Sequence, residues 1–218
     1  DELAKKWENQ NGKTEMWYVV QADEGAKIIY GMKDDTEKEA LSLAIQDNTV
    51  EDLLNCALSK KGDVFFVEAG TVHAIGGGNL IAEIQQNSNI TYRVYDFDRR
   101  DAQGNTRELH TKWAKNAIDF TVQESYVTSC PTDISGETKL VKCEYFDTSR
   151  IITDSEYEIL SPDAESFRII MCLKGSVEIT DNMGNTTSIH QGETVLVPAI
   201  TSKLTLKGKA ELLTTTAM

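Results

Sequence analysis

Only three histidines occur in the 218 residues, and one of them, His73, stands between the β-rich run VFFVEAG and three consecutive glycines. A neutral imidazole there offers a lone pair to a divalent metal; it can equally be a satisfied core or surface group. Ten residues on, Glu83 interrupts the apolar run LIAEIQQ. Burial would raise its pKa toward the range of a general base, whereas an outward-facing position would leave it an ordinary carboxylate. Arg93, in ITYRVYDF, is charged at every working pH. Enclosed, it can stabilise a developing oxyanion or grip a phosphate; otherwise it pairs with Asp96 or Asp98. His110 and His190 read as surface residues, and Asp34, Asp35 and Glu37 as a solvated helix start.

Strands and turns must place these groups. MWYVVQ and KIIYG read as strands flanking Asp23-Glu24-Gly25, a hairpin turn. Thr36 then caps a helix through EKEALSLAIQ, with Glu39 as the capping-box partner, and Thr49 caps a second helix, VEDLLNCALSK. The two form a helical insertion over about residues 36–60. VFFV, TVHAI, LIAEIQQ and ITYRVYDF are expected as strands, with Arg93 and Tyr95 sharing a face. HTKWAKNAIDF has helical spacing, and from about residue 123 the chain is β-rich to its end, with a hairpin turn at Asp181–Asn185.

One strand–turn–strand unit occurs twice. GDVFFVEAGTVH (62–73) aligns without gaps on GETVLVPAITSK (192–203), which suggests two related β-barrels in tandem. His73 falls opposite Lys203, so the first copy can hold a metal where the second offers only an ammonium.

The bulk numbers set limits. With a net charge of −13 and no basic stripe, nucleic-acid binding is not expected, and an anionic substrate would be repelled unless a local basic pocket overrides the field. No apolar run of membrane-spanning length occurs. Cys56, Cys130, Cys143 and Cys172 form no CxxC pair and fit free thiols in a reducing cytoplasm. The chain opens on Asp1 rather than methionine, which suggests that residues upstream are missing.

GDVFFVEAGTVHAIGGG resembles the second signature motif of the cupins, small jelly-roll β-barrels. NGKTEMWYVV, EGAKIIYG, AGTVHAIGGGNLIAEIQQNSNITYRVYDFDR and RELHTKWAKNAIDF together resemble class I mannose-6-phosphate isomerases of the shorter bacterial type, in order through about residues 1–120. The expected fold is mainly β: two tandem cupin-type barrels, 1–122 catalytic and 123–218 without metal. The resemblance implies a zinc-dependent exchange of mannose 6-phosphate and fructose 6-phosphate. It makes Glu15 and His73 metal ligands, Arg93 the active-site arginine, and Glu83 an acid facing the site. Lys13, two residues before Glu15 and so on the same side of a strand, would transfer a proton or bind substrate, or remain solvated.

The family's Gln-x-His ligand pair is absent, and the chain begins where that motif would just have ended. Two ligands rarely hold a catalytic zinc, so these residues alone are expected to bind it weakly. The competing expectations are a non-catalytic carbohydrate-binding or structural cupin module and an iron-dependent cupin oxygenase with two histidines and a carboxylate.

Overall fold

The computed structural model describes residues 1–97, 99–122, 125, 127–161 and 165–218. Its chain divides into two compact units, Asp1–Ser129 and Cys130–Met218.

The first unit opens with a short helix, α1 (Glu2–Glu8), followed by β1 (Glu15–Ala22) and β2 (Lys27–Met32). Helix α2 (Lys38–Asp47) and a single 3₁₀ turn (Val50–Leu53) lead into β3 (Leu54–Leu58), β4 (Asp63–Val67), β5 (His73–Ile75) and β6 (Asn79–Gln85). Helix α3 (Thr111–Ala117) and the two-residue β7 (Thr128–Ser129) close it. Two antiparallel sheets result, β6-β1-β4-β7 and β3-β2-β5. Alternation along β1 sends Trp17 and Val19 toward Ile28 and Tyr30 of β2, with Phe65 and Val67 of β4 joining them between the sheets. Glu15 belongs to that same inward row.

Three expectations change here. The turn at Asp23–Gly25 is not a hairpin: β1 and β2 lie in different sheets, so the chain turns a corner between layers. β1 is already flanked by β4 and β6, which leaves no edge for β2. Secondly, the helix expected over VEDLLNCALSK reduces to the 3₁₀ turn, and residues 54–58 form β3, pairing Ile29 with Cys56 and Ile28 with Ala57. An open edge of β2 outweighs helical spacing in so short a segment. The insertion is therefore one helix and a turn, and Thr36 bonds the Asp34 carbonyl instead of capping α2. Thirdly, ITYRVYDF is not a strand; residues 90–97 cross the site as irregular chain, and alternation does not set the direction of Arg93. Asp98, considered as its partner, lies outside the described residues. The expected mainly β architecture holds, in sheets that, among the described residues, pair as layers without closing into a ring of hydrogen bonds.

In the second unit β8 (Gly136–Lys142), β9 (Phe146–Thr153), β10 (Glu156–Leu160), β11 (Arg168–Asp181), β12 (Thr186–His190), β13 (Thr194–Val197) and β14 (Lys203–Ala217) form one seven-stranded sheet. Its two long strands serve both halves of a sandwich. β11 pairs β13 at one end and β12 at the other, while β14 pairs β9 and then β10. The bend falls at a bulge between Cys172 and Lys174, beside Gly175 (φ 79°) and Gly208 (φ 144°). Ile170, Cys172, Leu206 and Leu212 are fully buried inside it.

The internal repeat has a structural counterpart in each unit. Gly62 (φ 89°) and Gly192 (φ 87°) each turn the chain into a short strand, and His73 and Lys203 each open the next one. Lys203 is ion-paired to Glu158.

Candidate active site

Four of the five residues singled out in the sequence converge between the sheets of the first unit. Glu15 begins β1, Glu83 lies opposite Trp17 on β6, and His73 begins β5 in the other layer, opposite Tyr30 of β2. Lys13 precedes β1 on the Glu15 side. Its ammonium is 3.4 Å from a Glu15 oxygen and 3.4 Å from Glu83 Oε1. His73 Nε2 is 3.4 Å from Glu15 Oε1.

Burial fixes the electrostatics. Glu15 has no exposed surface, and its carboxyl is pushed up to about 7 chiefly by that desolvation; Lys13 and the Trp17 indole oppose the rise, and Glu83 adds to it. Trp17 Nε1–H donates to Glu15 Oε2 at 3.0 Å, a contact the sequence reading missed although a residue two positions along a strand shares its face. His73 Nδ1 lies 2.7 Å from the Thr71 carbonyl. A carbonyl only accepts, so Nδ1 carries the proton, and in the neutral ring the Nε2 lone pair faces Glu15. Desolvation favours that neutral ring by lowering the His73 pKa, with the Thr71 bond working the other way. The Trp17 indole meets the imidazole edge-on at 5.1 Å between centroids.

This pair fits a divalent cation. Ligands about 2.0–2.1 Å from a tetrahedral zinc stand roughly 3.4 Å apart, and the His73 nitrogen and Glu15 oxygen have that separation. Among the described residues no group of three or more His, Cys, Asp or Glu side chains gathers to complete a metal set.

Arg93 stands apart from this cluster. Its Nη1 donates to the Glu108 carbonyl at 3.1 Å, and its Nε is 4.0 Å from Asp96. It nevertheless lines the same cleft of about 600 Å³ as Lys13 and His73, a volume within the usual range for small-molecule sites. His110, read as a surface residue, is half-buried: its Nδ1 accepts the Arg93 backbone N–H, and its own N–H returns to the Arg93 carbonyl. That exchange anchors the irregular segment at the start of α3. His190 is exposed.

Comparison with known proteins gives the fold its relatives. Residues 136–217 match the family described as mannose-6-phosphate isomerase, cupin domain. YvyI of Bacillus subtilis is 35% identical over 208 residues, covering 94% of this chain and 65% of YvyI. Mannose-6-phosphate isomerase ManA of the same organism is 42% identical over 158 residues, 69% of this chain and 48% of ManA. The crystal structure of the mannose 6-phosphate isomerase from Bacillus subtilis superposes with a TM-score of 0.87 at 34% identity, covering 99% of this chain and 68% of that one. The chain thus spans under two thirds of the length of both curated relatives.

Proposed function

The chain belongs to the mannose-6-phosphate isomerase family, and we propose that it carries much of the active site of an enzyme interconverting mannose 6-phosphate and fructose 6-phosphate through a cis-enediol. The observation that supports this most is the mutual approach of Lys13, Glu15, Glu83 and His73, of which Lys13 and His73 line the cleft. The reaction moves one proton from C2 to C1 of the open-chain sugar and another from the C2 hydroxyl to the C1 oxygen. Glu83, partly exposed and 3.4 Å from an ammonium, is the group assigned to the carbon proton. Lys13 holds positive charge beside it. Arg93, on the segment that crosses the cleft, faces the developing enediolate with a charge that no pH change removes.

Glu15 and His73 are the residues that would hold a zinc or similar cation. Such an ion, when bound, polarises the sugar carbonyl. Trp17 and Thr71 orient the two ligands from behind, as outer partners do in metal sites.

A coupled assay for fructose 6-phosphate, with and without a chelator, tests the reading. Activity is expected to vanish on chelation and return with zinc, and His73→Ala is expected to lower zinc content sharply. Full turnover by metal-free protein would reject the cation's role, and an unchanged zinc content in His73→Ala would remove His73 from the site. The two-ligand count among the described residues favours one second reading, a carbohydrate-binding module; sugar-phosphate binding without turnover would support it.

A further inference from the structure

The molecule carries a net charge of −13, yet its proposed substrate is a dianion. A local positive field must overcome that repulsion. Such a field exists in the cleft that Lys13 and His73 also line. Asp96 is buried, and Arg93, Arg99 and Arg107 all gather on its carboxylate. Arg107 makes the tight contact, donating from Nε to Oδ2 at 2.7 Å and from Nη2 to Oδ1. Arg99 and Arg93 stand back, each 4.0 Å from Oδ1. All four side chains line the cleft shared with Lys13 and His73.

The charges do not balance. Among the described residues three guanidinium groups share one carboxylate in this cluster, which leaves two positive charges there. Burial does not hide them: the Arg99 side chain is 64% exposed and that of Arg107 50%. Asp96 therefore acts as a pivot. It spends its lone pairs mainly on Arg107, so that Arg107 is held in one orientation while Arg99 keeps most of its N–H groups for a ligand. Guanidinium forks match phosphate oxygens in pairs and are more weakly hydrated than an ammonium, so a phosphate gains more here than at a lysine cluster.

We propose that Arg99 and Arg107, set by the buried Asp96 carboxylate, form the seat that binds the phosphate of a small phosphorylated sugar in this cleft. The assignment rests on the isomerase reading only for the identity of the sugar. With its phosphate on these arginines, a hexose phosphate extends within the cleft toward Lys13 and His73. Arg99 and Arg107 position the substrate and touch no reacting atom, so they set affinity more than turnover.

Calorimetric titration of the intact protein with inorganic phosphate tests this without needing turnover. Arg99→Gln is expected to weaken phosphate binding about tenfold or more, with Arg99→Lys intermediate because it keeps the charge and loses the fork. Arg100→Gln is the control: that side chain donates to the Gly104 carbonyl and does not line the cleft. It should leave the affinity within about twofold. In the coupled assay Arg99→Gln should raise KM for mannose 6-phosphate by a similar factor while kcat falls less than about threefold. No phosphate binding by the unaltered protein, unchanged affinity in Arg99→Gln, or an equal loss in Arg100→Gln would each overturn the seat. The two readings fail separately. Phosphate binding lost in Arg99→Gln from a protein with no turnover upholds the seat and rejects the isomerase. An active isomerase whose phosphate affinity ignores Arg99 does the reverse.

Discussion

Glu15 has no water-accessible surface, yet Lys13, Trp17 and His73 all reach it. Desolvation raises its pKa to about 7, so without a metal the folded protein gains proton affinity at this side chain. The sign follows from linkage: the protonated form favours folding, that contribution is complete below the unfolded pKa near 4.3, and it is lost as pH rises through about 7. The Trp17 N–H offsets part of that loss by bonding the ionised carboxylate. Trp17→Phe keeps a ring against His73 and removes only the donor. Urea unfolding in chelator should therefore show a loss of about 1–3 kcal/mol at pH 8 and a smaller one at pH 5. Equal losses at the two pH values would mean that the indole packs without tuning Glu15. At this scale Glu15 and His73 stood out in the sequence through their motifs, and the fold brings them within 3.4 Å of each other. The sequence was silent on Trp17, whose type announces core. Arg93 was legible as a cleft residue but not in its setting, because nothing in TYRVYDF signals that His110 takes up the backbone there.

Local patterns misled wherever a neighbouring edge had the stronger claim. Residues 54–58 carry helical spacing but complete the edge of β2, and Asp23–Gly25 has hairpin composition but changes sheets. Neither outcome is encoded within the segment; both depend on which strands already flank β1 and β2. Turns that need a backbone conformation fared better, since Gly62 and Gly192 mark the start of equivalent strands in both units. Gly175 shows how strict such a requirement becomes. Its φ is 79°, and a Cβ added there would lie 2.1 Å from the Lys209 carbonyl oxygen of the neighbouring strand. Left-handed backbone costs an ordinary residue about 1–2 kcal/mol, and relieving the overlap must part β11 from β14 at the bend. Gly175→Ala should thus lower unfolding free energy by more than about 2 kcal/mol. Gly184→Ala, at a hairpin turn with φ 84° and open space around the added carbon, should cost only the backbone term. Similar losses for both would show that the close approach at Gly175 is unimportant.

Among the described residues each unit satisfies its sheets internally: β1–β7 pair with one another, and so do β8–β14. The second unit also encloses its own apolar cluster, from Ile151 on β9 through Ile170 on β11 to Leu212 on β14. None of the candidate site residues lies in it; they all fall within Asp1–Ser129. The two repeat positions have different surroundings: His73 lies 3.4 Å from the buried Glu15, whereas Lys203 pairs with Glu158. A segment with closed strand pairing and a separate core has the ingredients of an independent cooperative unit. Residues 130–218 expressed alone should fold, giving a β-type circular dichroism spectrum and a single urea transition with coincident fluorescence and dichroism midpoints. The same fragment should bind neither zinc nor phosphate with the affinity of the whole chain, because His73, Glu15 and Arg99 remain in the other unit. Non-coincident transitions would show that this core needs the first unit to hold it. Cation or phosphate affinity equal to that of the whole chain would place the functional groups in the wrong half of the molecule.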